Sequence, residues 1–254
     1  MNVKRLVVVL ALGCADGIAA PEVEELSRTE RAAMFSNATE AFLAAPDVAT
    51  LKKLVREPGR VGPLMDAYYK IEKLELPEIR PVTRERISIH KGLYIAALVT
   101  KSFANVPIVM ELTDKGFLVD WESFVAYSEV SWSDLEKGSI PEKPALIRTR
   151  MRVSDYFNYG FTEKEYYCVQ LKDLKLDKSV YGYMKRDSAV ADDIIEGFAR
   201  MGSPSPFGEE EDVKPGLDFV ILRIKAPAVK AGRNQVEITE FINEGWVFFE
   251  DHKE

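Results

Sequence analysis

Residues 116–135, GFLVDWESFVAYSEVSWSDL, constrain the fold most. They hold two of the three Trp residues and divide a front of helical periodicity from a back of alternating strands. Gly116 follows Asp114-Lys115 in a tight turn, and Phe117 to Val119 is a short apolar strand. Asp120 is placed to cap the next turn by accepting backbone N–H bonds. Trp121, Phe124 and Val125 then share one helical face. Two readings of this stretch stand side by side. One is an aromatic peg between the two halves of the fold. The other is a pocket wall in which Asp120, Trp121 and Glu122 meet a ligand.

In front of it the spacing predicts helices. Thr29 opens a segment with Phe35, Ala38, Phe42 and Ala45 at helical intervals. Asn37 and Glu40 repeat a capping-box pattern, which leaves one helix or two open. Asp47 caps the next helix, whose inner face is Leu51, Leu54 and Val55. Glu57-Pro58-Gly59 is expected to stop it, and Pro63 to begin another. Pro77 and Pro81 mark an extended linker.

Strands dominate from residue 86 onward. Leu93 to Thr100 is a continuous apolar run, and Val106 to Leu112 pairs with it. Leu146 to Val153 alternates sharply, with Arg148, Arg150 and Arg152 on the face opposite Ile147, Thr149, Met151 and Val153. Residues 155–161, DYFNYGF, form an aromatic loop. Residues 165–171 and 180–184 read as a strand pair, residues 189–201 as a helix, and 202–216 as a mobile loop rich in Pro, Gly, Ser and Glu. Residues 217–224 and 236–249 are the final strands. The fold class is therefore α+β: N-terminal helices, then a mostly antiparallel curved sheet, with a strand-rich C-terminal half. Residues 20–138 form the helical front with the first strands and 139–254 the strand-rich half, unless 20–254 is one continuous domain.

Residues 1–19 have the pattern of an export signal. Lys4 and Arg5 precede the apolar run Leu6 to Leu12, which is too short to span a bilayer, and Ala19 suits cleavage. A rival reading is a lipoprotein box at Leu12-Gly13-Cys14, with Ala11 where Leu is usual, and lipid on Cys14. Cleavage after Ala19 removes Lys4, Arg5 and Asp16 and takes the net charge from −7 to −8. The expected location is periplasmic or extracellular, with a membrane anchor if Cys14 is lipidated, and no transmembrane span after the signal is removed. Such a mature chain keeps only Cys168, so no internal disulfide is available and the core must hold the fold.

Two stretches carry a resemblance. VREPGRVGPLMDAYY at 55–69 and VDWESF at 119–124, with DYFN at 155–158 and YGY at 181–183, resemble motifs of an uncharacterised family of exported proteins from planctomycete- and verrucomicrobia-like bacteria. The resemblance covers about residues 38–250. It implies export and a helices-then-curved-sheet order similar to NTF2-like folds. The family carries no assigned activity, so no functional residue transfers from it.

The chemistry is sparse. His90, His252 and Cys168 have no metal-ligand spacing, and there is no Gly-rich phosphate loop and no serine elbow. No cofactor and no metal are expected. A Cys168–His90 dyad requires the fold to bring the two together. With a negative net charge and no large basic block, nucleic acid is not the expected partner. Arg148, Arg150 and Arg152 repel one another on one strand face and need compensation: carboxylates of a neighbouring strand, or an anionic ligand such as an acidic polysaccharide. Tyr156 and Tyr159 belong to an aromatic group that either fills a sheet core or stacks on sugars. The reading that follows is a non-catalytic exported module that binds a protein or small ligand in the cell envelope. Its alternatives are an enzyme with a carboxylate-lined pocket around Asp120 and Glu122, and a structural or assembly component of the envelope.

Overall fold

The structure is a computed structural model and describes residues 26–81, 87–173, 177–203, 206–207 and 216–247. The expected export signal, Cys14, most of the expected 202–216 loop and the end of the last expected strand lie outside these residues.

The front begins with α1 (Arg28–Leu43), one helix and not two. Its start is fixed by a capping box, in which Ser27 accepts from the Glu30 N–H and Glu30 from the Ser27 N–H. Asp47 caps α2 (Val48–Leu51) by accepting from the Thr50 N–H at 2.7 Å. That helical stretch, with a 3-10 turn to Leu54, ends ahead of Glu57 as expected, and the helix α3 (Pro58–Tyr68) corrects only the start expected at Pro63. Glu57 takes a left-handed φ of 46°, and Pro58 opens the helix from its first position. Pro63 sits inside, one turn beyond the ends where a missing N–H is harmless.

Four antiparallel strands follow as a meander: β1 (Ile87–His90), β2 (Leu93–Val99), β3 (Asn105–Thr113) and β4 (Gly116–Val119). The alternation in β2 and β3 turns Tyr94, Ala96, Leu98, Ile108 and Met110 onto the helices, where Phe35, Phe42, Leu51 and Met65 complete the first core. Trp121 is buried in this core, at the start of α4 (Trp121–Phe124).

The back half is a closed barrel of β5 (Ala145–Ser154), β6 (Tyr166–Lys172), β7 (Ser179–Lys185), β8 (Gly216–Lys225) and β9 (Gln235–Glu244), in the order β5-β6-β7-β9-β8. The third and fifth of these strands pair in parallel, and the helix α6 (Ala189–Arg200) lies between the third and fourth. That connectivity is the five-stranded Greek-key topology of an OB-fold. Inward residues of each strand fill the second core, and α6 buries Ala191, Ile194 and Phe198 into it. Full burial of Ile194 or Phe198 contributes about 1.5–3 kcal/mol each. The short α5 (Trp132–Lys137) sends Leu135 into the same core. The chain thus leaves one core after Tyr127 and enters the other by Val130. The architecture is α+β with helices before strands.

Candidate functional site

The carboxylates of the central stretch are held by guanidinium groups. Asp120 caps α4 with one oxygen, accepting from the Ser123 N–H at 2.9 Å, and accepts from Arg56 at 2.7 Å with the other. Arg56 also donates to Glu111 at 2.7 Å. Glu122 is buried and accepts from Arg60, which stands two helical positions inside α3. Burial works against the Arg60 cation, yet its bonds to Glu122 and Glu57 outweigh that and raise its pKa.

Arg148 completes this cluster from the barrel. It is fully buried, donates to the Trp246 carbonyl at 2.8 Å and the Tyr127 carbonyl at 2.7 Å, and places Nη2 3.6 Å from Glu122. Burial pulls its pKa down, with Glu122 opposing. The compensation for the arginine row thus differs residue by residue. Arg148 is matched by backbone carbonyls and Glu122 of the front half, and Arg150 stands over the Phe219 ring at 5.1 Å. Arg152 is exposed and makes no ion pair among the described residues.

Arg152 belongs to a different surface, the outer face of β5, β6 and β7. The strand register sets Arg152 beside Gln170 and Gln170 beside Tyr181, while Arg150, Lys172 and Ser179 form the next row. These rows run across two strand spacings, about 10 Å. Tyr156 stacks on Tyr181 with centroids 4.2 Å apart and 28° between planes. Tyr156 is 39% and Tyr159 63% exposed. The other rings of the loop turn inward. Phe161 stacks on Tyr183 at 3.7 Å and, with Tyr166 and Cys168, makes a small apolar cluster under the loop.

The loop is fixed from both sides. Gln235, buried at the start of β9, donates to Asn158 at 2.6 Å and to the Tyr183 hydroxyl at 2.7 Å, and that hydroxyl donates to the Tyr156 carbonyl at 2.6 Å. The Gly160 N–H donates to the Lys230 carbonyl of the β8–β9 loop at 2.8 Å. A Cβ on Gly232 would meet the Tyr159 ring at 2.9 Å, so only glycine admits the ring there. Tyr159 itself is held at φ 54°, a left-handed conformation a tyrosine keeps only under constraint. Lys230 and Arg233 are exposed on the same β8–β9 loop, and Asp155 is an exposed acid beside the tyrosines. Burial pushes the Cys168 thiol up to about 11, and Sγ lies 3.5 Å from the Tyr156 carbonyl. His90 is exposed at the β1–β2 turn, so no contact joins it to Cys168 beneath the aromatic loop.

A second concavity, about 290 Å³, lies between the open sheet and the barrel. Leu93, Val109, Phe219, Trp246 and Val247 make its apolar lining, and of the central stretch only Ser123 is among the described residues that reach it. Among the described residues no three His, Cys, Asp or Glu side chains are placed to hold a metal, and no helix is long and apolar enough to cross a membrane.

The sequence singled out Asp120, Trp121, Glu122, Arg148, Arg150, Arg152, Tyr156 and Tyr159. The structure gathers Asp120, Glu122 and Arg148 at one junction and Arg150, Arg152 and Tyr156 on one barrel face. Trp121 is a core residue whose indole N–H donates to the Tyr69 hydroxyl at 3.1 Å. Arg56, Arg60, Gln170 and Gln235 were not legible as partners, because each reaches its site from a distant element.

Comparison with known families finds a match to the Fip1 motif over residues 148–175. It spans the latter part of β5, the aromatic loop and β6, a small fraction of the chain. No curated protein and no solved structure matches the chain.

Proposed function

We propose that the chain is a non-catalytic binding module of the cell envelope and that the outer face of β5, β6 and β7 is its ligand surface. The observation that carries this is the rigidly held, partly exposed Tyr156–Tyr181 stack with Arg152 and Gln170 in register beside it. Aromatic faces stack on sugar rings, and a guanidinium with no carboxylate partner among the described residues suits an anionic group. The ligand class is an acidic oligosaccharide. A net charge of −7 argues against a nucleic acid, which rewards a broad basic field. The saturation of Asp120 and Glu122 by Arg56 and Arg60 supports a non-catalytic reading over a carboxylate pair poised for acid–base work. The Fip1 match falls on the same surface element.

The test is a panel of neutral oligosaccharides, acidic oligosaccharides and single-stranded DNA against the wild type, Arg152→Glu and Tyr156→Ala. Acidic oligosaccharides should bind, weaken with added salt, and lose about tenfold or more in each variant, 1.4 kcal/mol per decade. Preference for DNA would replace the glycan with a nucleic acid. Equal binding by Arg152→Glu would remove the face from the account.

A further inference from the structure

A groove of about 510 Å³ lies between the end of α3 and the 125–134 segment. Tyr68, Tyr127 and Trp132 are its aromatic lining, Glu72, Glu129 and Asp134 its carboxylates, and Ile71, 87% exposed, its lip. None of these residues belongs to the barrel face described above.

The rings are set in place from behind. Tyr68 and Tyr127 have centroids 6.3 Å apart at 59°, and both pack on the buried Trp121 at 5.3 and 5.5 Å. Ala126 takes a left-handed φ of 50°, which turns the chain so that the Tyr127 N–H reaches the Glu122 carbonyl at 2.8 Å. The Tyr127 carbonyl is held in turn by Arg148. Two tilted rings fixed in this way form a corner, and a cation seated in it lies within the roughly 6 Å reach of both π faces.

Carboxylates outnumber bases among the described lining residues, Glu72, Glu129 and Asp134 against Lys178, with Arg148 acting on Tyr127 in the opposite sense. Glu72 is exposed and in no ion pair among the described residues, and it acts on Tyr68; Glu129 acts on Tyr127. Burial first and Glu72 second push the Tyr68 phenol up to about 12, so the ring is neutral. Glu129 is partly engaged, accepting from the Leu146 N–H at 2.7 Å with Arg223 at 3.7 Å, and Asp134 accepts from Ser131. The base among the described lining residues, Lys178, is paired with Asp177 at 3.5 Å. The carbonyl end of α3 adds negative potential at Tyr68.

We propose that this groove is a binding site for a quaternary ammonium group. Aromatic faces offer such a cation attraction without hydrogen bonds, whereas a primary ammonium would have to give up tightly held water. The group is carried either by a free solute such as choline or by a choline phospholipid headgroup.

Titration of the full chain with choline chloride, followed by tryptophan fluorescence against matched sodium chloride, tests this, because Trp132 lines the groove. The neutral isostere 3,3-dimethyl-1-butanol should bind at least about tenfold more weakly. Tyr127→Leu should lose about tenfold and Glu72→Gln, an exposed change that leaves the fold intact, about threefold. Vesicles of phosphatidylcholine, with phosphatidylglycerol as control, separate a lipid headgroup from a free solute. No response to choline, or equal binding of choline and the isostere, overturns the assignment.

Discussion

Arginines four residues apart on one strand have opposite fates. Arg148 is sealed at the junction of the front half and the barrel, while Arg152 stands in solvent. Arg148→Met leaves two carbonyls and part of Glu122 without a donor, and should lower the unfolding free energy by about 3–5 kcal/mol. Arg152→Met should change it by less than about 0.5 kcal/mol. Urea unfolding of both variants checks the contrast, and equal losses would contradict it. Cys168 gives a second test. Its folded thiol keeps the proton to about 11 against an ordinary value of 9.0. Above pH 9 the unfolded chain therefore holds fewer protons than the folded one, and stability falls as pH rises from 9 to 11. The slope should be shallower in Cys168→Ala, and the native thiol should resist a disulfide reagent at pH 8 until the chain is unfolded. At this scale the sequence was legible in part. The alternation of β5 put the three arginines on one face, but which of them the front half would cover is a tertiary fact.

Among elements, boundaries followed local chemistry closely wherever a cap or an alternation was present. Ser27 and Glu30, Asp47, and Ser188 at the start of α6 each mark a helix start by accepting an N–H. α3 escaped because Pro58-Gly59 reads as a stop, and only the left-handed Glu57 turns it into a start. Gly59 has open space where a Cβ would stand, so Gly59→Ala should stabilise the chain by up to about 1 kcal/mol. Gly182 on β7 is the opposite case. A Cβ there would meet Ile238 at 2.7 Å and Leu171 at 3.0 Å inside the barrel, so Gly182→Ala should cost about 1–3 kcal/mol. Thermal unfolding of the two variants should move in opposite directions; a shared sign would contradict the packing described. The aromatic loop was visible as composition, but a loop has no period. Nothing in DYFNYGF separates the inward Phe157 and Phe161 from the exposed Tyr156 and Tyr159.

In the whole molecule, α+β and helices before strands follow from periodicity alone. Closure of the barrel does not, because the parallel contact of β7 with β9 joins segments separated by α6 and β8. That closure sets the β8–β9 loop against the aromatic loop and so creates the proposed ligand face. The 290 Å³ cleft between sheet and barrel is the competing location for a ligand. The most direct measurement is amide chemical-shift mapping with an acidic oligosaccharide such as a galacturonate oligomer. Ligand binding on this face should confine the shifts to residues 152–161, 170–172, 179–183 and 230–235. Shifts centred on His90, Val109 and Trp246, or none at saturating oligosaccharide, would contradict it.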